Sequence, residues 1–188
     1  MGAPKIASTA IVSKRASIGE DTIVQDYAII EEDCVIGKSC RIGYHAVLRR
    51  GTGIGNQSIF GTHSVSEGKN SIGSRTTIHS QCHITAGVVI EDRVFIAPFF
   101  CGANTPRIVH GRKYPLVLKP YRVKFGARIG ICVTVLPDVT IGREALIGAG
   151  SLVTSNIPDF AVAYGRPAKV VRYVTDKERL KAQEDRTG

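Results

Sequence analysis

The chain has 188 residues, 43% hydrophobic and 22% charged, with 25 Lys+Arg against 16 Asp+Glu for a net charge of +9. Together with a mean hydropathy of +0.04, this describes one globular domain and excludes disorder over most of the length. No apolar run reaches the ~18 residues of a membrane span, and no charged start leads into an apolar leader core, so no membrane contact is expected.

The predicted elements begin at Ile6 and recur every six residues. The chain reads Ile6, Val12, Ile18, Val24, Ile30, Ile36, Ile42 and Leu48, then Ile54, Phe60, Ser66, Ile72, Ile78, Ile84, Ile90 and Ile96. Fourteen of these sixteen are Ile, Val or Leu, where chance gives roughly four. Four residues after each aliphatic stands a small residue, from Ala10, Ala16 and Thr22 to Ser58 and Ser64. Gly often follows the aliphatic directly, as at Gly19, Gly37, Gly43, Gly55 and Gly73. Period six fits neither a helix nor an ordinary strand. One large inward residue, one small one and a turn-permitting Gly suit short strands joined at tight corners, stacked so that successive coils bury a continuous core.

The aliphatic register stops at Ile96 and resumes at Val123, shifted by three residues. This reading makes Gly102–Arg122 an inserted loop of 21 residues, rich in Pro, Gly and basic residues, and a loop of that length points to function. Residues 1–174 then form one repeat domain. The densely charged Thr175–Gly188 is read as a short helix and tail.

The six-residue pattern resembles the hexapeptide-repeat family. That resemblance implies an all-β, left-handed parallel β-helix of triangular section with eighteen residues per coil. Residues eighteen apart then stack roughly 4.8 Å apart. His45, His63, Gln81 and Phe99 fall on one ladder, and Val65, His83 and Cys101 on another beside it. His83 and Gln81 lie one coil from the root of the loop near Asn104, His79 belongs to the same face, and His110 stands within the loop. A His near its ordinary pKa takes a proton at neutral pH, so His83 and His110 are candidate bases. Cys34, Cys40 and Cys82 occupy the small inward register and are read as structural. Five Cys without CxxC spacing argue against a disulfide framework or zinc ribbon and for a reducing compartment, the cytoplasm.

Beyond the loop, Ile147-Gly-Ala-Gly-Ser-Leu-Val-Thr154 and then Gly165-Arg-Pro-Ala-Lys-Val-Val-Arg172 resemble the coenzyme-binding end of the acyl-CoA-dependent acyltransferases in this family. The resemblance implies acetyl-CoA as co-substrate and no metal. Backbone groups of Ile131 and Ala149 would meet the pantetheine, with Thr154 and Ser155 beside them, and Lys169 and Arg172 would face phosphate. Ser155 stands where the family commonly has Lys, which removes one cationic contact.

The segments Val88–Pro98 and Asn104–Arg107 resemble the branch that acetylates amino groups of nucleotide-linked sugars for surface polysaccharides. On that resemblance Asn104 and Gln81 would orient the acceptor, with His79 and Arg107 nearby, in active sites between subunits of a homotrimer. Two departures bear on the acceptor. Thr105 stands near the position of the catalytic His of the galactoside, maltose and xenobiotic transferases, and Ala86 where the nucleotide-sugar branch has an acid. The readings kept open are transfer to a sugar hydroxyl, a γ-class carbonic anhydrase with His45, His79 and His83 around zinc, and a non-enzymatic scaffold. Basic residues are not interleaved with stacking aromatics, so no nucleic-acid partner is expected.

Overall fold

A computed structural model describes residues 2–180. Almost every strand is two residues long and ends on the inward residue, most often an aliphatic, as in Ile29–Ile30, Val35–Ile36 and Arg41–Ile42. The strands distribute in rotation over three sheets of ten, eight and seven strands. Sheet I runs from Lys5–Ile6 to Ala168–Tyr173, sheet II from Ile11–Val12 to Leu152–Val153, and sheet III from Ser17–Ile18 to Thr140–Ile141. Neighbours are parallel and eighteen residues apart, as Ile59 on Thr77 and Ser71 on Val89. The expected β-helix is what the chain forms.

The corners are built differently from the sequence reading. The glycine after the aliphatic is not the turn residue; it is there because the next coil lies against it. A Cβ on Gly61 would sit 2.4 Å from the carbonyl carbon of His79. The left-handed backbone falls two positions later, mostly on residues other than Gly: Tyr27 (φ 60°), Ser39 (54°), His63 (56°) and Gln81 (58°). Such a conformation is unfavourable for an L-residue. Each corner recovers a backbone bond that helps offset it: His63 N–H donates to Tyr44 O at 2.9 Å and Gln81 N–H to Thr62 O at 2.9 Å.

The small inward register stitches coils together. Ser64 Oγ donates to His79 O at 2.8 Å and accepts the Cys82 N–H at 3.0 Å. Cys40 Sγ donates to Gly55 O at 3.1 Å and Cys82 Sγ to Ala97 O at 3.4 Å. Burial pushes the Cys34, Cys40 and Cys82 thiols above their ordinary pKa, so all three stay protonated packing groups.

Ser66, the polar break in the aliphatic register, points inward and is fully buried. It shares a 2.8 Å hydrogen bond with Thr52 Oγ1 and accepts Asn70 Nδ2 at 2.8 Å, while Asn70 Oδ1 accepts the Val88 N–H at 2.8 Å. Satisfied in this way, a buried hydroxyl costs little.

The strand pairing carries the repeat one face further than the aliphatic register. Cys101–Gly102 is a strand of sheet II, with Gly102 on Val135. Ile90 pairs with Val123, 33 positions on, where Ile72 pairs with Ile90 at 18, so the excursion adds 33 − 18 = 15 residues. Gly102 escaped notice because it occupies an inward position normally held by an aliphatic. Its missing side chain is replaced by Tyr121, which is fully buried at the small-residue position of the next face. A Cβ on Gly102 would overlap the Tyr121 ring.

At the C-terminal end Ala161–Gly165 pairs parallel with Leu146–Ile147 and antiparallel with Ala168–Tyr173. The Gly165–Arg172 block is thus a β-hairpin, turning through Arg166-Pro167. Of the expected C-terminal helix, the described part is a single 3-10 turn, Asp176–Glu178; residues 181–188 lie outside the described residues. Among the described residues no helix is long and apolar enough to cross a membrane.

Candidate active site

His83 opens the strand His83–Ile84 of sheet II and projects outward, flanked in register by Val65 and Cys101. Its Nε2 lies 3.7 Å from Glu67 Oε1, and the other Glu67 oxygen lies 3.6 Å from Arg49 Nη1. Glu67 and Arg49 were not among the sequence candidates. Their signal was present, since Arg49, Glu67 and Thr85 repeat at eighteen-residue spacing just past the sheet II strands. The Thr85 hydroxyl oxygen, in that same ladder, is buried without a hydrogen-bond partner. A His beside a carboxylate is placed to act as a general base.

The excursion leaves the solenoid beside this group. Asn104 is committed to the loop's root: Nδ2 donates to Ala86 O at 3.0 Å, Oδ1 accepts the Thr105 hydroxyl at 3.1 Å, and its carbonyl accepts the Lys119 N–H at 2.6 Å. Farther out, Arg107 lies over the Tyr114 ring at 4.6 Å and His110 is exposed. His83 and the Asn104 root are therefore neighbours, whereas Arg107 is packed within the loop and no contact joins His110 to His83.

The corner between sheets I and II carries the remaining acceptor candidates. Gln81 is its exposed left-handed residue, and His79 meets Phe95 edge-on at 5.3 Å. His45 and His63 stack at 4.7 Å with nearly parallel rings on the same ladder. His45 is thus directed into a stack rather than toward His79 and His83. Among the described residues no group of three His, Cys, Asp or Glu side chains is placed to hold a metal ion.

Ile131 and Ala149 lie eighteen residues apart on this corner, at its far end. The Ile131 carbonyl accepts the Gly150 N–H at 2.8 Å, while both residues are themselves exposed. Ala149 borders a cavity of about 610 Å³ on the outside of sheet I, whose walls include Phe95, Arg128, Leu146 and Leu180. Thr154 and Ser155 are exposed past the other edge of sheet II, so they are not gathered with Ala149 on one corner. Lys169 is exposed on the hairpin. Arg172 is occupied: its two terminal nitrogens donate to the two Glu178 oxygens at 2.8 Å each. That fork, with further bonds from Thr175, holds the Glu178 carboxyl well below the usual carboxylate range.

The family described as bacterial transferase hexapeptide (six repeats) matches residues 15–50. Galactoside O-acetyltransferase of Escherichia coli K12 is 38% identical over 98 residues, 49% of this chain and 47% of that protein. The dTDP-3-amino-3,6-dideoxy-α-D-galactopyranose 3-N-acetyltransferase of Aneurinibacillus thermoaerophilus is 50% identical over 52 residues, 28% of this chain and 27% of that protein. These matches span about half or less of each relative's length. Among solved structures, the hexapeptide-repeat acetyltransferase VCA0836 of Vibrio cholerae, complexed with acetyl-CoA, superimposes with a TM-score of 0.60 at 25% identity. The match covers 65% of this chain and 71% of that one. In repeat, coil and sheet order the chain is a left-handed parallel β-helix of hexapeptide repeats, and it resembles the hexapeptide-repeat acetyltransferases.

Proposed function

We propose that the protein transfers an acetyl group from acetyl-CoA to an amino group of a nucleotide-linked sugar, as a cytoplasmic homotrimer. The observation that carries the donor is the pair of exposed residues Ile131 and Ala149, one coil apart on a corner where Ala149 lines the cavity of about 610 Å³. Ala149 has no side chain beyond Cβ to cover that corner, which leaves room for a long thin ligand. The acetyl-CoA complex of the Vibrio cholerae relative supports the same donor. The amine acceptor is supported by the relative that acts on a dTDP-linked amino sugar.

The chemistry is direct transfer. A neutral amine attacks the thioester carbonyl, a C–N bond forms, and a tetrahedral oxyanion develops that backbone N–H groups stabilise. Its collapse breaks the C–S bond and expels the CoA thiolate. His83 takes the proton released by the amine and passes it to the thiolate; Glu67 stabilises the imidazolium in between. The Asn104 root holds the excursion beside this group, and Gln81 and His79 line the adjoining corner for the acceptor. The exposed Ile108, Leu116, Val117 and Leu118 of the excursion would be covered by a neighbouring subunit in a trimer.

Transfer to a sugar hydroxyl is the second reading, favoured by the similarity to galactoside O-acetyltransferase over half the chain. Thiol release from acetyl-CoA, measured with amino-sugar nucleotides and with the corresponding hydroxyl sugars, separates the two. Turnover on the amines alone supports N-acetylation, and turnover on hydroxyls alone replaces it. Absence of saturable acetyl-CoA binding by calorimetry removes both.

A further inference from the structure

The acyl donor carries phosphates, and the expected cations for them fall short here. Ser155 stands where a Lys would contribute, and Arg172 is held bidentate by Glu178. Lys169 remains, exposed on the hairpin. The cavity on the outside of sheet I offers another. Arg128 opens the strand Arg128–Ile129, between Phe95 and Leu146 in the ladder, and lines the same cavity as Ala149. Its Nη2 is buried and has no hydrogen-bond partner.

An unpartnered buried guanidinium nitrogen is costly, and native proteins satisfy nearly all such groups. The need here is for an acceptor, and the nearby carboxylates are engaged elsewhere. Glu178 is spent on Arg172 and Thr175, and Glu144 Oε2 accepts the Leu180 N–H at 2.9 Å. The flanking Phe95 and Leu146 are apolar, and an ionic hydrogen bond beside them is screened less than one in open water. A phosphate oxygen matches the guanidinium in charge and geometry.

We propose that Arg128 turns its guanidinium into the cavity beside Ala149 and binds a phosphate of the acyl donor there; this rests on the acetyl-CoA reading above. The sequence pattern hides this residue, because it occupies an ordinary outward strand position rather than the C-terminal motif.

The test is calorimetric titration of the full chain and of Arg128→Ala and Arg128→Gln with CoA and with pantetheine, which lacks the phosphates. Thermal unfolding of each variant verifies its fold, and the Gln variant keeps the polar bulk if Ala collapses the site. The expected result is a roughly ten- to hundredfold weaker CoA affinity in both variants with pantetheine affinity unchanged, the range for a lost charge-assisted bond. Wild-type CoA affinity in the variants overturns the role of Arg128 and leaves the donor reading intact. Equal losses for CoA and pantetheine overturn it too, because Arg128 would then shape the groove and not contact phosphate. A wild-type chain that binds neither CoA nor acetyl-CoA overturns both.

Discussion

The coils and the excursion that interrupts them obey opposite rules. In the coils, strand partners stand eighteen positions away, and even a serine facing the core has its bonds prepared, by Thr52 in the preceding coil and Asn70 on the next face. In the excursion there is no repeat. Contacts are made at the root, through Asn104 and Lys119, and within the loop, through Arg107 and Tyr114, while Ile108 and Leu116 remain exposed. A stacked solenoid propagates any error to its neighbours; a loop tied at its root does not.

The sharpest way to break the coil rule is at the exchange between Gly102 and Tyr121. Gly102→Ile restores the aliphatic register on paper but overlaps the Tyr121 ring, and is expected to cost about 3 kcal/mol. Adding Tyr121→Ala should recover much of that loss, and a double-mutant cycle by denaturant unfolding measures the coupling. Additive losses would show that the two positions do not share one space. At the junction of the two regions, His83→Gln is expected to lower kcat by about a hundredfold or more while shifting stability little. Unchanged turnover would remove His83 as the base.

Within the coils again, Asn70→Ala leaves the Val88 N–H and the Ser66–Thr52 pair short of a partner. It should cost about 1–3 kcal/mol by denaturant midpoint. In the excursion, Leu116→Ser is expected to stay within about 0.5 kcal/mol of wild type by the same measurement at low protein concentration. A larger loss would show the loop to be packed as the coils are.

The smallest effect belongs to the C-terminal strap and depends on pH. Arg172 lowers the Glu178 pKa in the folded chain. The fork's stabilisation is therefore fully present above the unfolded Glu value of about 4.3, and is lost as pH falls through the lower folded value. The melting-temperature gap between wild type and Glu178→Gln should be small at pH 7 and shrink progressively below about pH 4.3. A gap that widens on acidification would contradict the assignment.

The candidate site was legible to differing degrees. His83, Gln81 and the loop root were brought together by the eighteen-residue coil that the family resemblance implies, and the strand register shows that spacing. Glu67 follows from the same rule, through Arg49 and Thr85, but a charged residue at a corner carries no mark that distinguishes it from a solvated one. Arg128 has no sequence mark at all: its burial depends on a cavity bordered by the strap residues Glu178 to Leu180. Arg172 is marked by its motif, but its pairing with Glu178 is not, because only the fold brings the two together.

The sequence by itself determined the coil: its period, inward residues and three-faced stacking, because a two-residue strand has little but its own aliphatic and the coils above and below to satisfy it. Tertiary structure decided what depends on close approach across coils or from the chain's end. Gly61 is small because the next coil presses against it, and Gly102 is small because Tyr121 fills the same space from the next face. Arg172 is neutralised and Arg128 is not, because the strap packs at one and borders an open cavity at the other. Such choices turn on distances of a few ångströms between residues without a fixed spacing in the chain, and a linear period does not encode them.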